Sequence, residues 1–124
     1  MIIIDTNVLI NSLIEDSQDH SHSLELLRNA QVGGEAQYVT LGVLIELGQV
    51  LFREKGHAFA AAQVANVSKT FEVLFLQDIN AIIPLYLANH KQLSFVDCEI
   101  VALSREHGAK VISLDDKLMK ALKS

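Results

Sequence analysis

MIIIDTNVLI (residues 1–10) runs three isoleucines straight into Asp5, Thr6 and Asn7 before apolar residues resume. A short, wholly apolar run of this kind reads as a buried strand. A carboxylate at its end, with no basic residue beside it in the chain, is costly to bury unless its charge is compensated. Two roles are open to Asp5 at this point. It caps the helix that begins at about Asn7, or it serves a bound cation.

The rest of the chain repeats the same alternation. Strands are predicted at 2–4, 36–40 (AQYVT), 72–76 (EVLFL) and 110–113 (KVIS). Helices are predicted over 7–14, 24–30, 41–54, 58–69, 80–90, 94–106 and 116–122. The helix over 41–54 carries Leu44, Leu47 and Leu51 at i, i+3 and i+7. EDSQDHSHS (15–23) is a polar connector, Gly56 ends one helix, and Gly108 follows another in the C′ position. Short apolar strands separated by helices indicate an α/β domain whose mainly parallel sheet is covered on both faces. Ligands in such folds sit at the carboxyl ends of the strands. Asp5 follows the first strand and Asp115 the last, so both lie on that edge.

At 124 residues and 13.7 kDa the chain is expected to form one domain over 1–124. That length buries roughly two thirds of the unfolded surface, so no staple is needed. Half the residues are hydrophobic, which leaves apolar surface for a partner subunit. Cys98 is the one cysteine, so there is no internal disulfide. The opening apolar run is too short for a signal peptide, and no stretch approaches the roughly 18 apolar residues of a membrane span. A cytoplasmic protein is expected. With 15 acidic and 10 basic residues the net charge is −5, which excludes binding nucleic acid by bulk attraction. A polyanionic substrate then needs a local basic patch or bound cations.

Each remaining carboxylate also has a structural reading. SFVD (94–97) fits a capping box, with Asp97 bonding back to Ser94. SLDD (113–116) repeats the pattern, which puts Asp116 at the capping position and leaves Asp115 pointing from the strand end. Glu46 lies mid-helix in a polar stripe with Gly42, Gln49 and Arg53, as a solvated face would. Taken together, three of these acids belong to chain crossings at one sheet edge. Carboxylates that converge without matching Lys or Arg repel one another. A hard divalent cation held by oxygen ligands, Mg²⁺ or Mn²⁺, resolves the repulsion. His20 and His22 have no partners at zinc spacing. Cys98 reads as a packed core residue, and Lys117, Lys120 and Lys123 are candidate phosphate contacts.

Three blocks in order, IIIDTNVLI, VLIELGQVL and SFVDCEIVALSREHGAKVISLDDKL, resemble the PIN domains from residue 1 to about residue 118. A stand-alone chain of this length is similar to the VapC-type toxins of type II toxin–antitoxin pairs. The resemblance implies a three-layer α/β/α fold with a mainly parallel sheet of four or five short strands. It implies an Mg²⁺- or Mn²⁺-dependent endoribonuclease, an RNA substrate, an antitoxin partner protein and a homodimer. Carried over by position, the catalytic and metal-binding set is Asp5, Glu46, Asp97 and Asp115. Asn7 falls where the family has a supporting polar residue, and Ser113 stands where Thr is more usual, keeping the hydroxyl. Glu99 points roughly 200° away from Asp97 around its helix, so it is expected at the rim and not on the same metal. Two rival readings stand beside this one: a PIN fold that binds RNA or protein without catalysis, and a small Asp-dependent phosphatase. The phosphatase wants a second Asp where Asn7 stands.

Overall fold

Ile2, Ile3 and Ile4 form the central strand because nothing in the run needs water, and all three are buried. The computed structural model describes residues 1–123. In chain order they form β1 (Ile2–Ile4), α1 (Thr6–Leu13), α2 (His20–Val32), β2 (Gln37–Thr40), α3 (Leu41–Lys55) and α4 (His57–Thr70). Then come β3 (Glu72–Leu74), a 3-10 turn (Ile79–Ala81), α5 (Ile83–Asn89), α6 (Phe95–His107), β4 (Lys110–Ile112) and α7 (Asp116–Leu122).

The sheet runs β3-β2-β1-β4, and every pairing is parallel. Ile3 stands opposite Tyr38 on one side and Val111 on the other. With β1 in the interior and helices flanking the sheet in an α/β/α arrangement, the strand is apolar throughout instead of alternating. Leu44, Leu47 and Leu51 are buried on α3 as their spacing predicts, in one core with Val8, Leu9 and Ile100. Among the described residues no helix is long and apolar enough to cross a membrane.

The strand order positions the site. From β1 the chain moves to one side through β2 and β3, then returns to the opposite flank of β1 as β4. The boundary between β1 and β4 is therefore the topological switch point, where a crevice opens outside the carboxyl ends of the strands. The Asp5 backbone N–H donates to Ile112 O at 2.9 Å and closes that end of the pair.

Three element boundaries depart from expectation. The second helix starts at His20, not residue 24, because its polar residues Ser21 and His22 face solvent while Ser23 is buried. Polarity there marks an exposed face and not a loop. The helix expected over 80–90 is split. Asp78 Oδ1 accepts from Asn80 N–H at 2.9 Å to cap the 3-10 turn. Pro84 then sits in the first turn of α5, where its missing N–H leaves no partner unsatisfied. β3 stops at Leu74, two residues early, and Phe75 is exposed.

Candidate active site

Asp5 takes extended backbone (φ −77°, ψ 155°) and caps α1, its Oδ1 accepting from Thr6 N–H at 2.7 Å. Its Oδ2 accepts from the Ser113 hydroxyl at 2.6 Å. Ser113 Oγ in turn accepts from Asp115 N–H at 2.9 Å and from Asn7 Nδ2 at 3.5 Å. Asn7 Oδ1 accepts from Leu114 N–H at 3.1 Å. The turn after β4 is thus laced to the first turn of α1 across the switch point. The capping bond from Thr6 N–H and the bond from Ser113 together hold the Asp5 carboxyl at this crevice.

Asp5 is only 4% exposed. Its carboxyl is raised to about 6, chiefly by burial, against the downward pull of the hydrogen bonds from Ser113 and Thr6. The charges of Asp97 and Glu46 make a smaller upward contribution to that value. Those two acids, from α6 and α3, therefore share a field with Asp5.

Asp97 closes both arms of the expected capping box: Ser94 N–H donates to Asp97 Oδ2 at 2.9 Å, and Asp97 N–H to Ser94 Oγ at 3.1 Å. At α7 the expectation is corrected. Asp115, not Asp116, is the cap, with Oδ1 accepting from Lys117 N–H at 2.9 Å and Leu118 N–H at 3.4 Å. Ser113 Oγ is engaged in turning the chain after β4, so Asp115 is the last extended residue (φ −94°, ψ 110°). Asp116 is the first helical residue and is exposed.

Glu99 is a second correction. It is 6% exposed, buried instead of standing out at a rim. Its rotation away from Asp97 aims it inward, at the start of α3. There Thr40 Oγ donates a hydrogen bond to Oε1 and Gly42 N–H donates to Oε2 at 3.3 Å. Burial raises its carboxyl, and these two bonds act against the rise. Thr40, which no motif singled out, caps α3 by accepting from Val43 N–H at 3.0 Å. A Thr closing a strand directly before a leucine-periodic helix is a capping signal that was there to be used.

Cys98 is buried with Ile82 and Leu93, a core residue as expected, and burial followed by the Asp97 charge raises its thiol. Glu35 binds the chain's amino terminus at 3.2 Å and Lys110 Nζ at 3.1 Å. Those cations stand at the amino ends of β1 and β4, on the edge opposite the acids. Among the described residues no three His, Cys, Asp or Glu converge into a set that holds a metal unaided. The acids share a field, not a closed cage.

Solved structures share this fold. VapC20 of Mycobacterium tuberculosis, a sarcin–ricin loop cleaving toxin, is 22% identical with a TM-score of 0.80, over 98% of this chain and 95% of its own. PAE2754 from Pyrobaculum aerophilum is 16% identical with a TM-score of 0.71, over 98% and 79%. VapBC2 from Rickettsia felis, bound to a DNA fragment from their promoter, is 14% identical with a TM-score of 0.69, over 98% and 93%. No curated protein matches the sequence. The sequence itself matches the PIN domain family over residues 2–123, and the chain belongs to that family.

Proposed function

We propose that the chain, as a single nuclease domain over 1–124, is a metal-dependent endoribonuclease and the toxin of a toxin–antitoxin pair. The observation that carries the reading is Asp5: a buried carboxyl at the switch-point edge, pushed up to about 6 by burial and by two neighbouring acids. A site that disfavours its own charge in this way gains most from a cation. The donors are carboxylate oxygens, the set that suits Mg²⁺ or Mn²⁺. Mg²⁺ keeps several of its waters, so acids that share a field without forming a cage fit it.

Asp5, Asp97 and Asp115 would hold the ion, directly or through water. When bound, the ion supplies the positive charge that polarises a phosphoryl oxygen and acidifies a water. Glu46 orients the attacking water and takes its proton. Ser113 and Asn7 fix the rotamer of Asp5 and the turn that carries Asp115. Lys117 and Lys120 on α7 contact phosphates of the RNA strand.

The fold shared with VapC20 and VapBC2 supports RNA as substrate and an antitoxin as partner. An antitoxin segment bearing Arg or Lys would occupy the acidic crevice by charge complementarity. A second copy of the chain would cover the apolar side of α3, where Leu41, Ile45 and Phe52 are exposed. The purified protein is expected to cleave single-stranded RNA with Mg²⁺ or Mn²⁺ and to stop on adding EDTA, with Asp5→Asn folded but inactive. Equal cleavage with and without chelator would overturn the metal mechanism.

A further inference from the structure

Glu99 is a buried carboxyl to which the proposed reaction gives no part. Both its oxygens are engaged by the start of α3, Oε1 by the Thr40 hydroxyl and Oε2 by Gly42 N–H. The partners are what distinguish it. Thr40 is the cap of α3 and Gly42 lies in that helix's first turn, whose N–H groups have no partner within the helix. A side chain from α6 therefore completes the capping of α3. This carboxyl bridges the two helices that contribute Asp97 and Glu46.

Gly42 shows how closely the two helices approach there. A Cβ there would stand 2.5 Å from Glu99 Oε1, 3.1 Å from its Cδ and 3.3 Å from Val96 Cγ2. The glycine is helical, so its conformation needs no special freedom; what it provides is space for the carboxyl to lie on the backbone. Glu46 follows Gly42 by four residues on α3, and Asp97 precedes Glu99 by two on α6. Any shift at the clamp is thus carried about one turn along α3 to Glu46 and about half a turn back along α6 to Asp97.

We propose that Glu99 is a positioning residue: clamped between Thr40 and Gly42, it sets the spacing of α3 and α6, and with it the placement of Glu46 relative to Asp97. The proposal rests on the ribonuclease reading above. It assigns Glu99 no contact with metal or RNA.

The test is a cycle of variants, Gly42→Ala, Glu99→Gln, Glu99→Asp and Gly42→Ala with Glu99→Asp, read by Mn²⁺ titration with electron paramagnetic resonance and by RNA-cleavage kinetics. Gly42→Ala and Glu99→Gln are expected to weaken Mn²⁺ binding on the order of tenfold, as loss of support behind metal ligands does. Both should lower kcat while leaving KM for RNA within about twofold. The shortened carboxylate makes room for the added methyl, so the double variant should bind Mn²⁺ more tightly than Gly42→Ala alone. Should Gly42→Ala fail to fold, Glu99→Gln carries the test unaided. Folded variants that bind Mn²⁺ and cleave like wild type overturn this proposal alone. So do losses that follow melting temperature only, with no rescue in the double variant. A wild type that takes up no Mn²⁺ overturns the metal site together with this inference.

Discussion

Asp5 holds its proton more tightly in the folded chain, at about 6, than at the ordinary value of 3.8. Below pH 3.8 folded and unfolded chains both carry that proton, and burial is without penalty. As pH rises from 3.8 to about 6 the unfolded chain releases it first, so stability falls across that window. Above it the whole difference remains lost, roughly 3 kcal/mol at about 1.4 kcal/mol per pKa unit. Asn at this position still offers an oxygen to Thr6 N–H and caps α1 nearly as well. In EDTA at pH 8, Asp5→Asn is therefore expected to melt several degrees above wild type. The gap should close as the pH is lowered to 4. Thermal melts of both proteins across that range check it, and a gap that does not change with pH would refute the burial penalty.

Three of the four acids proposed for the site also stand at helix starts. Asp5 caps α1, Asp97 sits in the capping box of α6, and Asp115 caps α7. The first turn of a helix favours negative charge, so each acid is stabilised where the chain crosses the sheet edge. Substitution can separate the two roles at α7. Asn caps as well as Asp, whereas Ala leaves Lys117 and Leu118 N–H without their acceptor. Asp115→Asn is expected to melt within a few tenths of a kcal/mol of wild type while losing most metal-dependent cleavage. Asp115→Ala should lose cleavage and about 1 kcal/mol of stability as well. Full activity in the Asn variant would remove Asp115 from the metal site and leave it as a cap.

Charge is distributed unevenly over the molecule. Ten acidic and four basic residues precede Asn89, against five and six from there on, so the negative excess lies wholly in the first part. The later part carries a groove of about 420 Å³ between the end of α5 and α7, lined by Asn89, Gln92, Leu93, Lys117, Lys120 and Ala121. Lys117 lies in the first turn of α7, its backbone N–H donating to the Asp115 cap. In the proposed function this groove is where the RNA strand would find cations. Lys117→Ala with Lys120→Ala is expected to weaken single-stranded RNA binding in EDTA at low salt. The slope of log K against log salt should become shallower by about 0.7 for each phosphate that is no longer neutralised. Fluorescence anisotropy across a salt series measures both, and an unchanged slope would place the RNA elsewhere.

Apolar runs and leucine spacing are local properties, and strands and helices form from local runs, so the order of β and α elements was legible in the amino-acid sequence alone. So was the edge carrying Asp5 and Asp115, because parallel strands joined by helices end on one side. Motif positions likewise singled out Glu46 and Asp97, whose charges do act on Asp5. The interior of the site was not legible. The Ser113–Asp5 bond joins residues 108 apart and the Thr40–Glu99 bond residues 59 apart, and no periodicity encodes such pairs. Sequence spacing turned Glu99 away from Asp97 correctly but could not say what lay there: with α3 packed on that side, outward became inward. The same limit moved the α7 cap from Asp116 to Asp115, since where Ser113 spends its hydroxyl depends on Asp5 arriving from the far end of the chain. Tertiary packing decided which polar atoms were left for local bonds.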